Sequence, residues 1–258
     1  MNYCLSINQK TKYLEEADEI KMKSKDWKYA EVVRTDYPNT PIIFEVDKDF
    51  ELKNFLNFNF KNFIYACDNI EQMKLCKEYK VPFYYKYTIT SYYEAEALKE
   101  LGVCYFQIGV PLIFDLKTIV SFHVPLRVIA NLAYEPYLPH KDGIAGGWIR
   151  PEDVDKYATY IDTLEFYGDP VRHEKEETLY KIYAKDKTWP GNLNLIIDHL
   201  NFDVDNRLIY DDGFAERRMN CKQKCVSEPG SCHYCLDRMK FQKHLSNFAK
   251  SQNGKALI

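Results

Sequence analysis

Four cysteines, Cys221, Cys225, Cys232 and Cys235, fall within fifteen residues of the run NCKQKCVSEPGSCHYC. They form a C-x3-C pair and a C-x2-C pair with six residues between them. Thiolates at this density are soft ligands, suited to one tetrahedral metal site or one iron–sulfur cluster. Their neighbours, among them Lys222, Gln223, Lys224, Glu228, Pro229, Gly230 and Ser231, have a loop composition with no apolar face. Metal ligation therefore explains the run better than two disulfides or four idle core thiols. A radical-SAM loop needs C-x3-C-x2-C, and Glu228 stands where its third cysteine belongs. Zinc ribbons usually separate their pairs by about a dozen residues or more, and His233, between Cys232 and Cys235, reads as a neighbour rather than a ligand. The spacing leans towards a 4Fe–4S cluster and leaves zinc open.

A second set of reactive residue types sits at the ends of apolar runs. Short apolar runs alternate with helical patterns along the first two thirds of the chain, the signature of βα units and a parallel sheet. Strands are expected at Tyr3–Ile7, Ala17–Lys23, Pro41–Val46, Asn62–Cys67, Val81–Tyr87, Val103–Ile108, Pro125–Leu132 and Asp162–Phe166. Helices are expected at Thr11–Ala17, Asp26–Tyr37, Asp49–Phe58, Ile70–Tyr79, Tyr92–Leu101, Leu112–Phe122 and Pro151–Tyr160. Eight strands with seven intervening helices fit a (β/α)8 TIM-like barrel, with an open doubly wound sheet as the runner-up. Further helices are expected at Glu174–Ala184, at Gly191–Leu200 and near Leu236–Ala249. The simplest division is a barrel over residues 1–200 and a C-terminal extension over 201–258 that carries the cysteine-rich metal loop and the final helix.

In such barrels chemistry belongs to the C-terminal strand ends and the loops after them. Glu45, Asp68, Lys86, Gln107, Arg127, Asn131 and Glu165 occupy those places. Arg127 and Asn131 are an even number of residues apart, so both are expected on one face of their strand, aimed into the barrel mouth. Arg127, Asn131 and Glu165 are the candidates for binding and proton handling. The loop HKDGIAGGWIRPED adds Gly146, Gly147 and Arg150 just before a helix start at Pro151. Approachable N–H groups, a fixed first turn and a planar guanidinium fork make that start a candidate phosphate or carboxylate site. Glu152 and Asp153 compete for the same N–H groups. The sequence has no Walker motif, no G-x-S-x-G and no H-E-x-x-H.

Composition sets outer bounds. The chain has 258 residues, 46% hydrophobic and 28% charged, with a formal net charge of −3. That balance suits a soluble globular protein and excludes a polycation wrapped around nucleic acid. A local basic excess from Glu216 onward, with Arg217, Arg218, Lys222, Lys224, Arg238, Lys240, Lys243, Lys250 and Lys255, could face RNA or another anionic partner. No apolar run approaches membrane-spanning length and no secretory signal opens the chain. Cys4, Cys67, Cys76 and Cys104 sit in apolar segments like buried free thiols, and a reducing cytoplasm suits all eight cysteines.

Two segments resemble the U32 peptidase-like family, once called collagenase-like proteases. The first is RRMNCKQKC, where Cys221, Gln223 and Cys225 match the family's C-x-Q-x-C element. The second is WIRPEDVDKYATYIDTLEF, an aromatic-apolar turn, a Pro-acidic helix start and a strand ending in an acidic residue. The resemblance covers the second half of the chain. It implies a barrel whose four cysteines hold a 4Fe–4S cluster and an oxygen-independent hydroxylation of RNA or a small aromatic substrate; other members are called peptidases. This chain departs in lacking the family's glycine and in having all four cysteines compact and after the barrel. Two other readings stand beside this one: a non-catalytic module with a structural zinc site and a basic tail, and a peptidase.

Overall fold

The computed structural model describes residues 1–7, 14–57, 63–109, 116–131, 149–166, 173–188 and 214–219. Eight parallel strands form one sheet: β1 (Asn2–Ser6), β2 (Glu19–Lys23), β3 (Ile42–Glu45), β4 (Phe63–Cys67), β5 (Phe83–Tyr85), β6 (Phe106–Ile108), β7 (Leu126–Ile129) and β8 (Thr163–Phe166). Their order is β5-β4-β3-β2-β1-β8-β7-β6. β1 pairs with both β2 and β8, so first and last strands are neighbours, as they are in a barrel and not in a doubly wound sheet. The two ends, β5 and β6, meet at a seam crossed by Cys104 N–H to the Phe83 carbonyl at 2.8 Å and Ile89 N–H to the Gln107 carbonyl at 2.9 Å. The barrel is nearly closed, and the open-sheet alternative is set aside.

The helices α1 (Trp27–Asp36), α2 (Leu52–Asn57), α3 (Ile70–Glu78), α4 (Tyr92–Leu101), α5 (Leu116–Val120), α6 (Val154–Tyr157) and α7 (His173–Tyr180) follow strands in turn. α4 shows the local causes plainly. The Ser91 hydroxyl caps its first turn by accepting the Glu94 N–H at 3.1 Å, and Gly102, at φ +94°, ends it. That backbone conformation costs a residue with a Cβ and costs glycine little. One expected helix differs. The described part of Thr11–Ala17 is a turn at Leu14–Glu16. Just after it the Asp18 N–H bonds to the Tyr3 carbonyl and the Asp18 carboxylate accepts the Tyr3 N–H at 2.8 Å, tying the chain back to β1. The helix expected at Glu174–Ala184 is α7 followed by a π-helical stretch, Lys181–Asp186.

Residues alternate in facing along each strand. Ile20, Met22, Ile42, Phe44, Phe63, Tyr65, Leu126, Val128, Leu164 and Phe166 are buried towards the helices. An aromatic cluster fills that layer: Phe44 stacks on Phe55 at 4.8 Å between centroids and on Phe63 at 5.7 Å. The inward positions are different in kind. Barrel interiors are usually filled by branched aliphatics, whereas here Glu19, Lys21, Gln107, Arg127, Thr163 and Glu165 are buried polar or charged residues. One short helix of the expected extension, α8 (Phe214–Met219), lies against α6: Ala215 is fully buried and Glu216 pairs with Lys156 at 3.3 Å. The cysteine-rich loop and the last two expected helices lie outside the described residues.

Candidate active site

The interior charges are linked into one chain that runs up the barrel. At its base the Tyr105 hydroxyl donates to Glu19 at 2.9 Å, and the other Glu19 oxygen accepts Arg127 Nη1 at 2.5 Å. Arg127 Nε donates to Glu165 at 2.9 Å, and Glu165 takes Lys21 Nζ at 2.6 Å on its second oxygen. Lys21 continues to Glu45 at 3.3 Å, and Glu45 lies 3.8 Å from Lys86. Lys86 closes on Asp68 at 2.8 Å, and the Tyr87 hydroxyl donates to that carboxylate at 2.5 Å. β2, β7 and β8 contribute to the lower half, with Tyr105 just before β6, and β2 to β5 or the residues after them contribute to the upper half.

Exposure divides the chain into two parts. The side chains of Arg127 and Glu165 are 0% and 1% exposed, whereas those of Lys86, Asp68 and Glu45 are 13%, 14% and 23% exposed. Tyr87 is 47% exposed. Glu45 ends β3, Asp68 follows β4 and Lys86 follows β5, so the accessible groups stand at the C-terminal ends of three consecutive strands. Reactive groups collect at that rim in barrel enzymes.

The electrostatics follow from this burial. Burial alone would push the Glu165 carboxyl up, but Lys21 and Arg127 outweigh it and hold it below the usual carboxylate range. Burial likewise works against the Lys21 ammonium, and the neighbouring Glu165, Tyr84 and Glu45 raise it well above the lysine range. At the mouth, hydrogen bonds from Lys86 and Tyr87 hold Asp68 below its ordinary value. The Tyr87 phenol is pushed up to about 12 by its bond to Asp68. Asp68 is therefore a fixed carboxylate that anchors Lys86. Lys86 is shared between Asp68 at 2.8 Å and Glu45 at 3.8 Å, and Glu45 also takes Lys21 at 3.3 Å.

The structure places the sequence candidates in three different settings. Arg127 and Glu165, both expected at the mouth, pair with each other deep in the barrel. Asn131 follows β7 and is fully buried. Arg150 donates through Nε to Asp153, which also pairs with Lys156 at 3.3 Å. Its helix start is a 3-10 turn, Pro151–Asp153, leading into the four-residue α6. Such a short helix has little dipole to offer, and its own carboxylate takes the guanidinium. Gly146 and Gly147 lie outside the described residues, as do Cys221, Cys225, Cys232 and Cys235. Among the described residues no group of three or more His, Cys, Asp or Glu side chains is placed to hold a metal ion, and no helix is long and apolar enough to cross a membrane. Sequence reasoning passed over Glu19 and Lys21. Their alternation with Ile20 and Met22 in a strand flanked on both sides by parallel partners was the available signal for a charged interior.

No family model and no curated protein matches the sequence. The solved structures that align with this chain include the following two. 3-Keto-L-gulonate-6-phosphate decarboxylase from Vibrio cholerae aligns with a TM-score of 0.45 and 12% identity, covering 73% of this chain and 99% of that one. A designed cube-shaped, porous protein cage built by fusing symmetric oligomeric domains aligns at 0.46 and 8% identity, covering 100% of this chain and 86% of that one.

Proposed function

We propose that this protein is a barrel enzyme that works at its C-terminal mouth and carries a metal centre on its C-terminal thiols. The observation behind the first part is the mouth cluster. Glu45, Asp68 and Lys86, on three consecutive strand ends, are ion-paired yet partly open to solvent. The chemistry this favours is proton transfer beside a developing negative charge, with Lys86 as the electrostatic partner and Glu45 as the proton acceptor. Arg127 and Glu165 act below it as positioning residues, since both are enclosed and reach the mouth only through Lys21.

The second part rests on donor chemistry. Cys221, Cys225, Cys232 and Cys235 supply the four soft ligands of a 4Fe–4S cluster, with zinc as the alternative. A bound cluster would supply one-electron chemistry. With the U32-like segments, this makes oxygen-independent hydroxylation of RNA or a small aromatic molecule the specific version of the proposal. Anaerobic purification with iron, sulfide and zinc analysis tests the metal. About four irons and four sulfides per chain support the cluster; one zinc removes the redox version, and no metal removes both. Calorimetric titration with uridine monophosphate and with 4-hydroxybenzoate tests the mouth. Binding by the wild type that Lys86→Met abolishes supports the site; binding unaltered in that variant overturns it.

A further inference from the structure

Five of the ten residues in the run YYKYTITSYY, residues 84–93, are tyrosines, and the run crosses the barrel rim from the end of β5 into α4. Tyr84 is fully buried, whereas Tyr87, Tyr92 and Tyr93 are exposed. Seven large hydrophobic residues are exposed among the described residues. Four of them, Ile70, Tyr87, Tyr92 and Tyr93, belong to the two adjacent turns that lead into α3 and α4. The other three are dispersed: Val32 on α1, Val120 on α5 and Tyr160 after α6. Single exposed apolar residues need no explanation, but a group of them at one rim marks a contact surface.

Tyr87 ties this group to the mouth. Its hydroxyl donates to Asp68 at 2.5 Å, the Lys86 ammonium lies 5.3 Å from its ring centre, and the Tyr85 ring meets it edge to face at 5.3 Å. These contacts hold the ring, yet 47% of the residue stays open to solvent. A held, half-open aromatic ring is a stacking surface, because little side-chain freedom is lost when a second ring lies on it.

Charge narrows what can lie there. Along the linked network Arg127, Lys21 and Lys86 face Glu19, Glu165, Glu45 and Asp68, three cations against four carboxylates. Beyond it, Lys48 adds to the Lys86 and Tyr87 hydrogen bonds that lower Asp68, and Glu94 adds to the burial that raises the Tyr85 phenol, one charge of each sign. The ammonium at the ring, Lys86, is already shared between Asp68 and Glu45. A ring with its own carboxylate brings a further negative charge into this field, and an uncharged ring does not.

We propose that Tyr87, braced by Tyr85, is the platform on which an uncharged planar ring of the substrate stacks at the barrel mouth. The inference rests on the mouth being the reaction site and adds what the substrate must present there. A nucleobase of single-stranded RNA and a neutral phenol both carry such a ring; an aromatic carboxylate is the disfavoured member of the class.

The test is ligand-observed NMR titration of the full-length protein with uridine and with 4-hydroxybenzyl alcohol, one for each source of the ring. 4-Hydroxybenzoate is the charged counterpart of the alcohol, and urea melts of the same samples report folding. Wild type is expected to bind at least one neutral probe, with binding weakened about tenfold or more in Tyr87→Leu, the scale of one lost stack. Tyr87→Met is the second variant should Tyr87→Leu melt early. Tyr87→Phe keeps the ring and is expected to stay within about threefold of wild type. Binding of uridine alone assigns the ring to a nucleobase, and binding of the alcohol alone assigns it to a small aromatic molecule. Neutral-probe binding unchanged in a folded Tyr87→Leu overturns the platform, as does no such binding by the wild type. A loss in Tyr87→Phe as large as in Tyr87→Leu also overturns it, by assigning the effect to the bond with Asp68. So does an equal loss in Tyr160→Leu, which lies ahead of β8 at the opposite end of the barrel. 4-Hydroxybenzoate binding as tightly as the alcohol overturns the uncharged class. Lys86→Met separates the two proposals. Probe binding kept in that variant but lost in Tyr87→Leu sinks the mouth reading and leaves the platform standing, and the reverse pattern sinks the platform alone.

Discussion

Arg127 Nε and Glu165 meet at 2.9 Å inside a barrel where both side chains are closed off from water. Neither is tolerable there alone. An isolated buried charge costs several kcal/mol, and only a partner with good geometry offsets it. Arg127 holds Glu165 and Glu19 together, so Arg127→Met leaves two carboxylates facing each other across the interior. A loss of about 3–5 kcal/mol is expected, read as a fall in the urea midpoint. Arg127→Ala paired with Glu165→Gln, a natural choice for abolishing activity, therefore reports on folding first and cannot separate an enzyme from a binding module. Lys86→Met and Glu45→Gln, at the partly open end, are the better probes.

The pH dependence of stability has two limbs with identifiable sources. Asp68 and Glu165 are held below the usual carboxylate range in the fold. Their contribution is complete above the unfolded values, about 3.9 for Asp and 4.3 for Glu, and is lost as pH falls through the folded ones. Lys21 lies above the lysine range. Its contribution is complete below about 10.4 and is lost as pH rises through its folded value. Thermal melts from pH 3 to pH 11 are expected to show a plateau between these limbs. Lys86→Met removes the first cause of the Asp68 shift, so it is expected to weaken the acid limb; an unchanged limb would remove Asp68 from the account.

The strands were legible because parallel strands covered on both sides read as compact apolar runs. All eight appear within two or three residues of the expected bounds. α4 was legible to the residue, since Ser91 and Gly102 are cap chemistries with local causes. Depth was not legible. Arg127 could be seen as a polar residue on a strand, but whether it sits at the mouth or the base depends on how β7 slides against β8 and how β2 arrives from across the barrel. That stagger is a property of closure, not of any one segment. The Thr11–Ala17 pattern failed for a related reason: the Tyr3–Asp18 bonds that tie the chain to β1 are tertiary.

The caps of α4 carry a modest, measurable share of stability. Glu94 accepts the Thr90 N–H at 2.7 Å and the Thr90 hydroxyl at 2.9 Å while its own N–H bonds to Ser91. Ser91→Ala is expected to cost about 1 kcal/mol. Gly102→Ala is expected to cost about 1–2 kcal/mol. A Cβ there meets nothing within 4 Å, so its cost comes from the left-handed backbone alone. Gly102→Asn, which tolerates that conformation better, should recover part of the loss in the same denaturant melts.

The cysteines of the barrel should be chemically silent under native conditions. Cys4, Cys67 and Cys76 are fully buried, and the Cys67 and Cys76 sulfurs lie 3.7 Å apart. Burial pushes the Cys4 thiol far up, with Arg127 only partly opposing it. The hydrogen bond to Cys76, reinforced by burial, does the same to Cys67. Cys104 is pushed up to about 12 by burial. Because the thiolate is the reactive form, brief iodoacetamide treatment at pH 7.5 is expected to leave all four unmodified by mass spectrometry. Denaturant should expose them together, in one cooperative step. Labelling of Cys67 and Cys76 in the native protein, well before global unfolding, would mean that β4 and α3 separate locally. Asp68 follows Cys67 directly, so the Lys86–Asp68 pair would then be only as rigid as that opening allows.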